Sequence, residues 1–206
     1  MPENESLERL RSAVAAFETE KRYRHTLGVE TEAAALATVL LPEKTDELRA
    51  AALLHDLTKC RSDEEQIALA KELNVPLTKE LLSSPQVLHG LTAVKLIPQL
   101  FPEYACHEIL HAISVHTTGA ADMSLFDKIL FVADYTEPGR TQSICRATRA
   151  EMWELLKTAT DKYRAFDTIV CKILADTIQY LRENHQPVVS ATEDAYCFLT
   201  HRLNDE

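Results

Sequence analysis

The stretch Ala51-Ala52-Leu53-Leu54-His55-Asp56-Leu57-Thr58-Lys59 decides how this chain is read. Four small or apolar residues run directly into two adjacent ionisable ones. Burying an unpaired charge is expensive, so an apolar run ends on His-Asp only where something neutralises or uses the pair. A divalent metal ion does so most economically. A buried ion pair or a hydrogen-bonded helix end is the plainer alternative, and ligands supplied from elsewhere in the chain decide between them.

Composition sets the frame. The chain has 206 residues, enough for one domain with a substantial core. Hydrophobic residues make up 46%, while Gly (4) and Pro (8) are scarce and Ala and Leu abundant, which favours helices over sheet. The net charge is −10 with no basic block, so binding to a nucleic-acid duplex is not expected. An anionic substrate would have to be held by a few local cations or a metal. Cys60, Cys106, Cys145, Cys171 and Cys197 lie far apart without CxxC spacing, the pattern of free thiols in a reducing compartment. No signal peptide is visible, and no apolar run reaches the roughly 18 residues of a membrane span. The expected location is cytoplasmic.

Apolar spacing and punctuation predict an all-α domain of roughly ten helices over residues 1–206. A helix over 5–17 precedes a second that opens at Lys21-Arg22-Tyr23-Arg24-His25 and runs to Pro42. The third ends in His55-Asp56. Ser62-Asp63-Glu64-Glu65 has capping-box spacing for a fourth, followed by a short helix near Thr78. Pro85 starts a helix carrying His89 and ended by Pro98; Pro102 starts one that leads to His116. Ser124 caps a helix carrying Asp134, which stops at Pro138-Gly139. Further helices fit Arg146–Lys157 and Asp161–Arg182, and Ser190-Ala191-Thr192-Glu193 reads as a capping box for the last. The metal-site core is placed at 22–140, with the helices of 146–206 packing on it and closing a pocket.

The inward-facing ionisable residues of these helices are His25, His55, Asp56, His89, His116 and Asp134. Four imidazoles and two carboxylates suit one or two divalent first-row ions such as Fe, Mn, Zn or Co. Cysteine is absent from the set, which disfavours a structural zinc cage and favours an open, catalytic site.

The order His25, His55-Asp56, His89, His116, Asp134 resembles the H…HD…H…H…D pattern of HD-domain metal phosphohydrolases. Flanking blocks narrow the resemblance: Arg22 to Val29, Ala51 to Lys59, Leu88-His89-Gly90, His116-Thr117-Thr118-Gly119, and Lys128 to Arg140 look like the bacterial YqeK family of symmetrical diadenosine tetraphosphate hydrolases. The resemblance implies His25, His55, Asp56 and Asp134 as primary metal ligands, with iron as the ion. It implies His89 and His116 as a second metal position or as phosphate ligands. Lys59 and Arg140 would bind phosphate oxygens, with Thr117 and Thr118 donating nearby and Leu57 and Thr58 beside them. Pro187, Val188, Val189, Ser190, Ala191 and Thr192 stand where the family has a nucleotide-holding Tyr-Pro-x-Thr stretch, and here both the Tyr and the Pro of that stretch are missing.

The reaction so implied is attack of a metal-activated water on an inner phosphorus of a dinucleoside tetraphosphate, giving two nucleoside diphosphates. Asp56, Lys59, His89, His116 and Arg140 would carry it. The ligand is then a dinucleoside polyphosphate or a nucleoside diphosphate, and a homodimer is compatible with the sequence. Rival readings are another HD nucleotide phosphohydrolase, such as a nucleotidase or dNTPase, and a non-catalytic nucleotide sensor. His107 and His111 read as surface or helix-packing residues, and Trp153 as helix packing.

Overall fold

The computed structural model describes residues 3–205, and among these every regular element is helical. Eleven α-helices follow in order: α1 (Glu3–Val14), α2 (Glu20–Leu40), α3 (Thr45–Leu54), α4 (Asp63–Glu72), α5 (Lys79–Ser83), α6 (Leu88–Leu100), α7 (His107–Val115), α8 (Leu125–Thr136), α9 (Ser143–Thr158), α10 (Lys162–Glu183) and α11 (Ser190–Asp205). The expected all-α class holds. Pro85 and Pro102 do not open α-helices directly. Each leads a 3-10 turn, Pro85–Val87 and Pro102–Tyr104, that feeds the following helix. Nor does Pro98 end α6, which continues to Leu100. So near a C-terminus proline costs one hydrogen bond, and the cap residue, Phe101, still donates its N–H to Ile97 O at 2.7 Å.

The apolar run Ala50 to Leu54 is buried on every side, as expected of a helix with no polar face. Its alanines let α3 lie close against α2, and α7 and α8 complete a four-helix centre around Leu36, Leu53, Ile113 and Ile129. Removing such residues from water, at roughly 25 cal/mol per Å² of apolar surface, drives the assembly. A smaller cluster of Ala70, Val75 and Leu88 sits beneath α4.

Helices α9 and α10 are tied to this centre through buried polar pairs, and α11 packs on α10. Lys128 of α8 donates to Asp167 of α10 at 2.6 Å. Trp153 Nε1 donates to Glu32 of α2 at 2.8 Å, so the indole packs helices together. The Ser62 capping box forms as expected, with Glu65 returning to the Ser62 N–H. Ser190 and Glu193 are engaged elsewhere: Ser190 N–H and Oγ donate to Glu80 of α5, and Glu193 accepts from Arg182. Their sequence spacing has the capping pattern, but longer-range partners win both groups.

Candidate metal centre

Helix ends bring the histidines together. His55 follows the last residue of α3, and its Nδ1 donates to Ala52 O at 2.6 Å. His116 follows α7 in the same way, with Nδ1 on Ile113 O at 2.7 Å. His89, in the first turn of α6, puts Nδ1 2.7 Å from Gln86 O. A carbonyl oxygen can only accept, so these three Nδ1 atoms carry the hydrogen and each Nε2 presents a lone pair. His25, near the start of α2, sets its Nδ1 3.2 Å from Glu137 Oε1 and does the same.

All four Nε2 atoms converge on Asp56. Its Oδ2 lies 3.3 Å from His55 Nε2 and 3.8 Å from His25 Nε2, and its Oδ1 lies 3.2 Å from His89 Nε2 and 3.9 Å from His116 Nε2. Asp134 Oδ1 is 3.0 Å from His25 Nε2 and 3.9 Å from His55 Nε2. Ligands each about 2.1 Å from one ion lie roughly 3.0–3.5 Å apart, close to these spacings. His25 Nε2 and His55 Nε2 are buried without a hydrogen-bond partner. His89 Nε2 and His116 Nε2 face each other at 2.9 Å. Two lone pairs at that distance, beside a carboxylate, call for a cation between them. The donor set fits a divalent metal, and two groups have metal-ligand spacing: His25, His55 and Asp134, and His55, Asp56 and His116.

Without the ion, protons take over part of the charge balance. Burial opposes protonation of His55, yet Asp56 and then Asp134 overcome it and raise its pKa to about 9. Burial likewise works against charge on Asp56 and Asp134, but His55 beside Asp56, and His25 with Arg140 beside Asp134, hold both well below the usual carboxylate range. His116 is pushed down to about 3 by burial and by His89 and His55, so it stays a neutral ligand.

Two glycines permit the geometry. A Cβ on Gly90 would come within 2.8 Å of Ile113 O, so glycine lets α6 approach α7 closely enough for the His89–His116 contact. A Cβ on Gly28 would overlap the Glu137 carboxylate.

Beside the centre, at His25, opens a cleft of about 790 Å³. Its walls carry Lys21, Arg22, Arg24, Lys59 and Arg140, a cationic concentration in a chain of net charge −10. Arg140 grips Asp134 by its carbonyl and carboxylate, at 2.6 and 2.7 Å from Nη2. Lys59 Nζ lies 3.3 Å from both Gln86 O and His89 Nδ1. Burial lowers the Lys59 pKa. Thr117 Oγ1 sits 3.2 and 3.1 Å from His89 Nε2 and His116 Nε2. Thr118 donates instead to Gly119 O.

Other residues expected at the site lie off this cleft. Leu57 is fully buried, and Thr58 donates to His89 O at 2.9 Å, a bracing contact beneath the centre. None of residues 187–192 lines the cleft; Val189 and Thr192 are buried, and Ser190 is tied to Glu80. His111 Nδ1 lies 3.0 Å from Asp127, away from the centre.

Two residues at the centre carry no role in the sequence reading. Glu137, 4% exposed, accepts from both His25 and the Gly139 N–H. A glycine inside the α2 pattern, at position 28, is the signal of a close approach that could have exposed it. Arg22 Nη1 donates to Asp56 Oδ2 at 2.7 Å, a pairing across 34 residues that no local pattern announces.

An all-helical bundle gathering four histidines and two aspartates beside a cationic cleft defines a metal-site protein of the hydrolase type. The HD domain family matches residues 22–139, and the chain belongs to that family. It is 31% identical to a symmetrical bis(5'-nucleosyl)-tetraphosphatase of Bacillus subtilis (strain 168), covering 88% of this chain and 90% of the relative. A protein of the same name from Halalkalibacterium halodurans is 29% identical over 86% of this chain and 88% of its own. A crystal structure from Clostridium acetobutylicum, described as an HD superfamily hydrolase involved in NAD metabolism, superposes with a TM-score of 0.81 at 27% identity, covering 95% of this chain and 97% of that one. The family resemblance drawn from the five sequence blocks therefore holds.

Proposed function

We propose that this protein is a metal-dependent hydrolase that cleaves a bis(5'-nucleosyl) tetraphosphate such as diadenosine tetraphosphate symmetrically, to two nucleoside diphosphates. The observation that carries the reading is the convergence of four Nε2 lone pairs on the two oxygens of Asp56 beside a cation-lined cleft. The names of the B. subtilis and H. halodurans relatives support the substrate.

His25, His55, Asp56 and Asp134 hold the primary ion, and His89 and His116 with Asp56 Oδ1 offer a second position. A nitrogen and oxygen donor set without sulfur suits iron, with manganese, cobalt or zinc as substitutes. When bound, such an ion acidifies water towards neutral pH and draws charge from a phosphoryl oxygen. The chain's own residues do the rest. Lys59 and Arg140 sit where they can bind phosphate oxygens and offset charge on the leaving diphosphate. Asp56, held well below the usual carboxylate range, stays ionised and so keeps both oxygens as acceptors towards the metal positions. Thr117 Oγ1, close to both His89 and His116, can donate to a phosphate oxygen. The reaction works in one domain whose core spans 22–140, and the five unpaired cysteines support a reducing, cytoplasmic setting.

Asp56→Ala removes the shared ligand. It should abolish both metal retention and conversion of diadenosine tetraphosphate to ADP, while the helical circular dichroism remains. A metal-free, fully active variant, or products other than two ADP from the wild type, would overturn the assignment.

A further inference from the structure

Arg22 belongs to the first turn of α2, lines the cleft and donates from Nη1 to Asp56 Oδ2 at 2.7 Å. That oxygen is the one facing His55 Nε2 and His25 Nε2, so a guanidinium and the primary ion compete for the same lone pairs. Two cations on one carboxylate oxygen also repel each other. Arg22 is 30% exposed, so its head can leave the carboxylate without unpacking the core. The other cleft cations near the centre are differently fixed. Arg140 is held by two groups of Asp134, and Lys59 rests on Gln86 O and His89.

We propose that Arg22 is an exchangeable counter-charge: it pairs with Asp56 until a divalent ion takes Oδ2, and the displaced guanidinium then binds a phosphate oxygen of the nucleotide. The proposal rests on the metal-centre reading above. A planar guanidinium suits phosphate because it can offer two parallel N–H groups. Metal binding and nucleotide binding become coupled, since the ion frees the residue that the nucleotide needs. Wild-type affinity for metal is correspondingly lowered by the fraction of molecules in which Arg22 blocks Asp56.

Calorimetric titration of metal-free wild type, Arg22→Gln and Arg22→Lys with Mn²⁺, then of each Mn²⁺-loaded protein with ADP, tests this. Arg22→Gln should bind Mn²⁺ about tenfold more tightly, as expected if Arg22 blocks about nine molecules in ten, and bind ADP at least about tenfold more weakly. Arg22→Lys keeps the charge but loses the paired N–H groups, so its ADP affinity should fall between those of wild type and Arg22→Gln, showing that the loss in Arg22→Gln follows the side chain and is not misfolding. Unchanged or weaker Mn²⁺ binding in Arg22→Gln would make Arg22 a prop for Asp56 and overturn the exchange. Unchanged ADP affinity would overturn the phosphate role. Asp56→Ala serves as the control: if it binds Mn²⁺ as well as the wild type, the metal centre itself is misplaced, a failure separate from that of Arg22.

Discussion

Glu137 does for His25 what a backbone carbonyl does for each of the other three imidazoles: it takes the Nδ1 hydrogen and turns Nε2 towards the carboxylates. Partners of this kind fix the tautomer and raise the basicity of the ligand, and losing one typically weakens metal binding about 10–100-fold. Glu137→Gln keeps the shape but loses the charge, so its Mn²⁺ affinity should fall about tenfold with helicity intact; an unchanged affinity would reduce Glu137 to a turn residue. Glu18 gives a second test at this scale. Burial, opposed by a hydrogen bond from Thr26, raises its pKa from 4.5 to about 7. The folded protein therefore holds this proton more tightly than the unfolded chain. Stability of the metal-free protein is highest below pH 4.5 as far as this group is concerned, and falls as pH rises to about 7. Because Glu18 is partly exposed, the effect is on the order of 1–2 kcal/mol. Glu18→Gln should flatten that part of the stability profile, as measured by urea unfolding of chelator-treated protein between pH 5 and pH 8. The six chemical residues of the centre were legible in the sequence because each stands toward or at the end of a helix, beside residues that have to be buried. Glu137 and Arg22 were not, because what they do depends on partners 112 and 34 residues away.

At the scale of the helices, α8 matters most, since it delivers Asp134 and is fastened at its other end by the buried Lys128–Asp167 pair to α10. Both side chains are 8% exposed, so removing one leaves the other charge buried with reduced compensation. Lys128→Met should destabilise the protein by about 3 kcal/mol, somewhat less if Arg202, 3.7 Å from Asp167, moves in. The double variant Lys128→Met/Asp167→Leu should recover most of that loss, because no charge then remains buried. Denaturant midpoints of the single and double variants decide the matter: equal losses would mean that packing, not charge, holds α8 to α10. Helix class and most helix starts could be read from spacing and caps, since Ser62 and Ser124 act locally. The Ser190–Glu193 box could not, because Glu80 and Arg182 reach it from other helices and only the fold brings them near. The same holds for 187–192, whose place relative to the cleft depends on how α10 and α11 pack.

The whole molecule sets an electrostatic problem that no single residue shows: a protein of net charge −10 has to admit a polyanion. The two fields act over different ranges. Repulsion from the whole surface reaches beyond 10 Å and is largely screened once the Debye length falls to about 8–10 Å, near 0.1–0.15 M salt. Attraction inside the cleft, from Lys21, Arg22, Arg24, Lys59 and Arg140, acts over a few ångströms. It survives until the Debye length shrinks to about 3 Å, near 1 M. The net effect should therefore change sign with ionic strength. For diadenosine tetraphosphate, kcat/KM should rise from about 10 mM salt to a maximum near 0.1 M, as the long-range repulsion is removed, and fall towards 1 M as the cleft field is screened. A steady fall across the whole range, measured at constant metal concentration, would show that the cleft field outweighs the net charge at every distance.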